Sequence, residues 1–147
     1  HNRREAGYLA VLHDAGIEPV VRTVDFHTPD PERAGLTEAA LDSMPADVDA
    51  VFATDDLTAA AVLEWARTRG RRVPEDFKVV GFDGTSAVRR ALPNLTTIQQ
   101  PIADLAAQAV DVLLRQISAS RESGDPHSPE FAAPAPLPVK LLVGVTS

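Results

Sequence analysis

The chain has 147 residues, 44% of them apolar, with a net charge of −7 and no cysteine. This length fits one ordinary domain or a piece of a larger one, with enough apolar side chains for a core. The charge excludes nucleic acid and anionic membrane as partners of the whole surface, and the missing cysteine excludes disulfides and thiol catalysis.

Helix and strand periods then alternate along the chain. Arg3 to Ala15 places Ala6, Leu9, Ala10 and Leu12 on one helical face, and Gly16 stands where a C-cap belongs. The β-branched run "EPVVRTV", Glu18–Val24, predicts a strand. Asp30 and Pro31 fit the N-cap and first position of a helix ending near Met44. "DAVFAT", Asp49–Thr54, predicts a short buried strand, and Leu57–Arg69 a helix stopped by Gly70. Arg67, Arg69, Arg71 and Arg72 form only a short basic cluster, the solvated end of that helix. "FKVVGFD", Phe77–Asp83, and "LTTIQQ", Leu95–Gln100, predict further strands. Ile102–Ile117 carries Ile102, Leu105, Ala109, Leu113 and Ile117 on one helical stripe. Residues 120–136, rich in Pro and Ser, predict a flexible loop, and "LPVKLLV", Leu137–Val143, a last strand. No internal repeat is visible. Strands alternating with helices of this length predict an α/β fold with a mostly parallel sheet, buried on both faces. No apolar run reaches the roughly 18 residues of a membrane helix. His1 is not a natural start, so further residues are expected before it.

Open parallel sheets bind ligands beyond the carboxyl ends of their strands. Asp25 and Phe26 follow the first predicted strand, Thr54–Asp56 the second, and Asp83 and Gly84 the third. Arg4 opens the first helix and would follow a strand lying before His1. Arg4, Phe26, Thr54, Asp55, Asp83 and Gln100 thus line one rim. A cation, carboxylates and an aromatic suit a small polyhydroxylated ligand, because charged groups bond strongly to hydroxyls.

Each of these residues also has an ordinary role. Asp55 or Asp56 at a helix start is by default an N-cap, and Asp83 in "FDG" a turn former. Arg4 on a helix is commonly solvated, Phe26 can cover a core, and Trp65 reads as packing or interface. His1, His13, His27 and His127 show no metal-ligand spacing, so neither a metal nor another cofactor is expected. The adjacent Asp55 and Asp56 distantly resemble the magnesium pocket of a response-regulator receiver. That chemistry also needs a lysine at a strand's carboxyl end, whereas Lys78 stands at a strand's start. No nucleophile elbow, phosphate loop or dinucleotide fingerprint is present, and no enzyme is expected.

"RREAGY" (Arg3–Tyr8), "VFATDDLTAAAV" (Val51–Val62), "VPEDFKVVGFDG" (Val73–Gly84), "LPNLTTIQQP" (Leu92–Pro101) and "LPVKLLV" follow one another in order. In order and spacing they resemble the LacI/GalR family of bacterial transcription repressors over nearly the whole chain. The resemblance implies a periplasmic-binding-protein-like, three-layer α/β core of two lobes, behind a helix-turn-helix and hinge that this sequence does not contain. Residues 1–100 would be the second lobe, 101–119 a helix of the first lobe, 120–136 the loop, and 137–147 the returning strand. It also implies a sugar-like or nucleoside-like effector, a homodimer and a cytoplasmic location. Operator DNA would be contacted only through the missing N-terminal domain, and a membrane not at all. The homodimer contact would lie on Ala60–Arg67 and Ala87–Leu92. The competing reading is a periplasmic-type sugar-binding protein of transport or chemoreception.

The family's effector-contacting positions fall on Arg4, on Thr54 and Asp55, on Asp83 and on Gln100, with Phe26 aligned more loosely. On this pattern Thr54 and Asp55 face the cleft, and Asp56 serves the helix start. The sequence departs from the pattern at Thr54, where asparagine is usual, at Gly84, a frequent aspartate, and at Gly144, where arginine is common. The stripe on Ile102–Ile117 has its family partner in the missing lobe. It is therefore expected to pack back on its own sheet, pair with another chain, or remain an exposed apolar patch.

Overall fold

Three parallel strands joined by helices carry the described part of the chain, residues 3–24, 30–123 and 134–147 of a computed structural model. In order the elements are α1 (Arg3–Asp14), α2 (Asp30–Asp42), β1 (Ala50–Phe52), α3 (Asp56–Thr68) and β2 (Lys78–Asp83). There follow α4 (Ser86–Ala91), β3 (Thr96–Gln99), α5 (Ile102–Ser123) and β4 (Lys140–Leu142). The sheet order is β1-β2-β3-β4, with β4 antiparallel to β3. Parallel neighbours cannot be joined by a tight turn, so α3 and α4 serve as the crossovers.

The core lies between α3 and the sheet. Ala59, Val62 and Ala66 form a helical stripe against Phe77, Val79 and Leu95, and all six are buried. Burying a side chain the size of Val62 or Phe77 is worth about 1.5–3 kcal/mol. Both ends of α3 are chemically closed. Asp55, in extended backbone, accepts from the Thr58 N–H at 2.7 Å. At the other end Gly70 takes φ 67°, and the amides of Gly70 and Arg71 close on the Arg67 and Ala66 carbonyls. Trp65 is a packing residue: it stands edge-on to Phe77, with ring centroids 6.0 Å apart, and its indole N–H donates to Asp42 at 2.8 Å. That bond joins α2 to α3. On the other face of the sheet α1 lies lightly, its Tyr8 ring stacked 6.4 Å from Phe52, and no residue of α1 is buried.

The C-terminal residues enter the sheet as well. The Thr146 hydroxyl donates to the Val79 carbonyl at 2.7 Å and accepts from the Thr96 N–H at 2.9 Å, while the Val79 N–H donates to the Thr146 carbonyl. One buried threonine thereby closes the backbone groups where β2 and β3 begin.

Several expectations need correction. Glu18–Val24 is not a strand. It is held by side chains instead, with Arg22 donating to the hydroxyl and carbonyl of Ser43 and Tyr8 reaching the Val20 carbonyl. Among the described residues no strand lies beside it, and strand propensity without a partner makes no ladder. For the same reason β1 is an edge strand, half-buried rather than buried. Within α1, Ala6 and Ala10 are exposed while Leu9 and Leu12 are partly covered. Helix α4 was not predicted; Thr85 caps it by accepting from the Val88 N–H. Helix α5 continues to Ser123, so residues 120–123 are not loop; no Gly or Pro interrupts them before Gly124. Residues 124–133 of the expected loop lie outside the described residues. Of the three outcomes expected for α5, folding back on its own sheet is not found among the described residues, and an exposed apolar face is. None of its described side chains is buried, and Ile102, Leu105, Val110, Leu113, Leu114 and Ile117 are 38% to 58% exposed.

The Trp65 indole, and then Arg69 at 2.7 Å, hold the Asp42 carboxyl below its ordinary 3.8. A pKa lowered on folding adds stability that is complete above the ordinary value and is lost as pH falls through the folded one. Asp42→Asn is expected to melt below wild type at neutral pH, with the gap closing as pH drops under 3.8. Calorimetric scans across this range test it; a gap that ignores pH would refute it.

Candidate functional site

The carboxyl ends of β1, β2 and β3 meet the first turn of α1, and Arg4 is the centre of that meeting. Its Nη1 donates to the Thr54 carbonyl at 2.5 Å, its guanidinium carbon lies 4.1 Å from the centre of the Phe82 ring, and its Nη2 stands 3.8 Å from Asp83 Oδ1. A carbonyl, an aromatic face and a carboxylate together fix a long side chain that is otherwise free to rotate. Gln100 completes the cluster. Its amide donates to the same Asp83 oxygen at 2.6 Å, and its backbone N–H donates to the Asp83 carbonyl at 3.1 Å. Among the described residues no donor meets Asp83 Oδ2. The Arg4 and Asp83 side chains keep 33% and 31% of their surface exposed, so the cluster is open to a ligand.

Asp83 is set in place by its backbone. It has φ 120°, a region a non-glycine residue adopts only when its surroundings enforce it, and Gly84 follows at φ 60°. Gly84 lies so close to β3 that a Cβ there would stand 2.7 Å from Gln99 Cα. The aspartate common at this position therefore does not fit this turn. Gly144 has a comparable constraint. Its N–H donates to Thr96 Oγ1 at 3.0 Å, and any side chain would run into the Asn94 carbonyl, which rules out the family's arginine in this backbone.

The expected service of Asp56 at the helix start needs correction, because Asp55 supplies the cap. Asp55 is the helix cap: Oδ1 accepts from the Thr58 N–H at 2.7 Å and Oδ2 from the Thr58 hydroxyl at 2.9 Å. Asp56 is not a cap but a buried side chain, 2% exposed, turned toward the sheet. Its Oδ1 accepts from the Thr97 hydroxyl at 2.5 Å and its Oδ2 from the Gly84 N–H at 2.8 Å. The two carboxylates thus serve different partners. Among the described residues no group of three His, Asp or Glu side chains gathers as metal ligands, and no helix is long and apolar enough to cross a membrane.

Of the six residues expected on the rim, Arg4, Thr54, Asp83 and Gln100 come together. Asp55 stands beside them with its carboxylate on the helix end, and Phe26 lies outside the described residues. Sequence reasoning missed Phe82, Thr97 and the inward turn of Asp56. One available signal was Gly81, since a glycine inside a strand marks a close approach by another group.

Residues 1–137 match the family model described as the periplasmic binding protein-like domain. The chain belongs to that family, in its LacI/GalR form. The ribose operon repressor of Halalkalibacterium halodurans is 33% identical over 144 residues, covering 98% of this chain and 40% of that repressor. The sucrose operon repressor of Pediococcus pentosaceus is 33% identical over 147 residues, covering 99% of this chain and 42% of its own. A solved complex of the transcriptional regulator CelR with cellobiose superposes with a TM-score of 0.73 at 34% identity, covering 98% of this chain and 42% of that one. The chain therefore spans less than half the length of each of these three relatives.

Within this family fold α3 lies directly against the sheet at Gly81. A Cβ there would strike the Asp56 carboxylate and stand 3.3 Å from both Ala59 Cβ and Leu95 Cδ2. Gly81→Ala is expected to cost about 1–3 kcal/mol, as overpacking does. Urea unfolding measures it, and an unchanged midpoint would show that the contact yields freely.

Proposed function

We propose that this chain is the effector-sensing part of a LacI-type transcriptional regulator, with a small sugar as its effector. Residues 1–100 are the second lobe, α5 belongs to the first lobe, and the final strand returns to the second. The observation that carries this reading is the convergence of Arg4, Asp83 and Gln100 on one rim, with Thr54 beside them. A cation and a carboxylate 3.8 Å apart suit neighbouring hydroxyls, one accepting from the guanidinium and one donating to the carboxylate. The ribose, sucrose and cellobiose named for the three relatives above support a sugar over a nucleoside. Phe26 and Asp55 belong to the effector set on the family pattern alone.

The mechanism is a population shift. Effector between the lobes favours one lobe arrangement, and a homodimer passes the change to DNA-reading heads outside these residues. A tenfold shift in the lobe equilibrium needs about 1.4 kcal/mol of differential affinity. One hydrogen bond to a charged group, worth roughly 1.5–3 kcal/mol, supplies that if it forms in one arrangement only. The homodimer contact falls on α4 and the outward side of α3, since Trp65 and Ala66 are already buried within the chain. Operator DNA is reached only through those heads. The reading places the protein in the cytoplasm, away from the membrane, and assigns it no catalysis and no cofactor.

Asp83→Ala in the natural full-length protein is expected to weaken sugar binding by tenfold or more, on the order of one lost charge-assisted bond. Calorimetric titration with ribose, sucrose and cellobiose tests it. Unchanged affinity for a sugar that binds wild type would remove Asp83 from the site.

A further inference from the structure

We propose that Asp56 is a positioning residue of the effector site, its buried carboxylate holding the Asp83–Gly84 turn in the conformation that aims Asp83 at Arg4 and Gln100. This rests on the effector-site reading above. The cap of α3 is already supplied by Asp55, so capping does not account for the inward turn of Asp56. Asp56 is nonetheless 2% exposed, a costly place for a carboxylate unless both oxygens are satisfied. They are satisfied by neutral donors, the Thr97 hydroxyl at 2.5 Å and the Gly84 N–H at 2.8 Å. Stability alone does not favour such an arrangement, because apolar packing at a buried charged site is often as good or better.

What the arrangement does achieve is local. Asp83 has φ 120° and does not hold that conformation unaided. Gln100 grips the carbonyl side of the turn through its backbone N–H, and Asp56 grips the amide that follows it, Gly84 N–H. Thr97 fixes the carboxylate from the neighbouring strand, and Gly81, without a side chain, leaves it room. Asp56 touches no ligand in this scheme; it acts through Gly84 and Asp83.

The test uses the natural full-length protein, with sugar titrations well below the melting temperature and the Gly84 amide proton followed by NMR. Asp56→Asn offers one acceptor and one donor group where the site needs two acceptors. It is expected to move the Gly84 amide upfield and to weaken sugar binding about tenfold to a hundredfold. An unmoved Gly84 resonance, or affinity within about twofold of wild type in well-folded protein, would overturn the proposal. Should Asp56→Asn fail to fold, Thr97→Val decides in its place. It is expected to give the same two changes in smaller measure, with Thr97→Ser restoring both, and wild-type behaviour of Thr97→Val counts against the proposal. If no sugar binds even wild type, the effector-site reading fails, while the Gly84 resonance still decides whether Asp56 sets the turn.

Discussion

A pair of parallel strands leaves polar backbone groups at its ends, and the β2–β3 pair is tied near both ends by a buried side chain. Where the strands begin, the Thr146 hydroxyl stands between the Val79 carbonyl and the Thr96 N–H. Toward their carboxyl ends, Asp56 joins Thr97 of β3 to the Gly84 amide just beyond β2. Buried polar groups left unpaired cost about 1–3 kcal/mol each, so these ties set which register of the two strands is tolerable. The pairing of Asp83 with Gln99 follows from that register, and with it the meeting of Asp83 and Gln100.

The site is then a consequence of where the register ends. Three chain segments, distant in sequence, bring one cation, one carboxylate and one amide together, and α1 contributes its cation from outside the core. No residue of α1 is buried, and Arg4 reaches the Thr54 carbonyl, the Phe82 face and Asp83. Asp83 itself belongs to the β2 strand end.

Much of this was legible in the sequence because the signals were local. Helix α3 announces itself by its alanine stripe and by Gly70, and the strand-end rule brought Arg4, Thr54, Asp83 and Gln100 to one rim before any coordinates. What was not legible depended on partners. Glu18–Val24 has strand composition, yet a strand exists only beside another one. The apolar face of α5 is periodic, but periodicity does not say what covers it. The cap fell to Asp55 rather than the expected Asp56, since both can cap a helix. Only the space left by Gly81 and the position of Thr97 decide which one turns inward.

On the resemblance read from the sequence, Thr54 is the remaining departure from the family pattern, and the geometry limits what it can mean. Arg4 bonds the backbone carbonyl of this residue, a group that asparagine and threonine share. The substitution therefore leaves the anchoring of Arg4 intact and alters only what the side chain offers. Asparagine presents a carbonyl and an amide, able to accept and donate at two points; threonine presents one hydroxyl beside a methyl group. Thr54 is exposed, and among the described residues its hydroxyl has one neighbour in reach, Asp55 Oδ2 at 3.5 Å, too far for a strong bond. It is thus free to turn toward a ligand oxygen, while its methyl group narrows the room for anything larger. On the proposed reading, the departure at Thr54 changes which sugar is preferred and leaves intact the means by which a sugar is held.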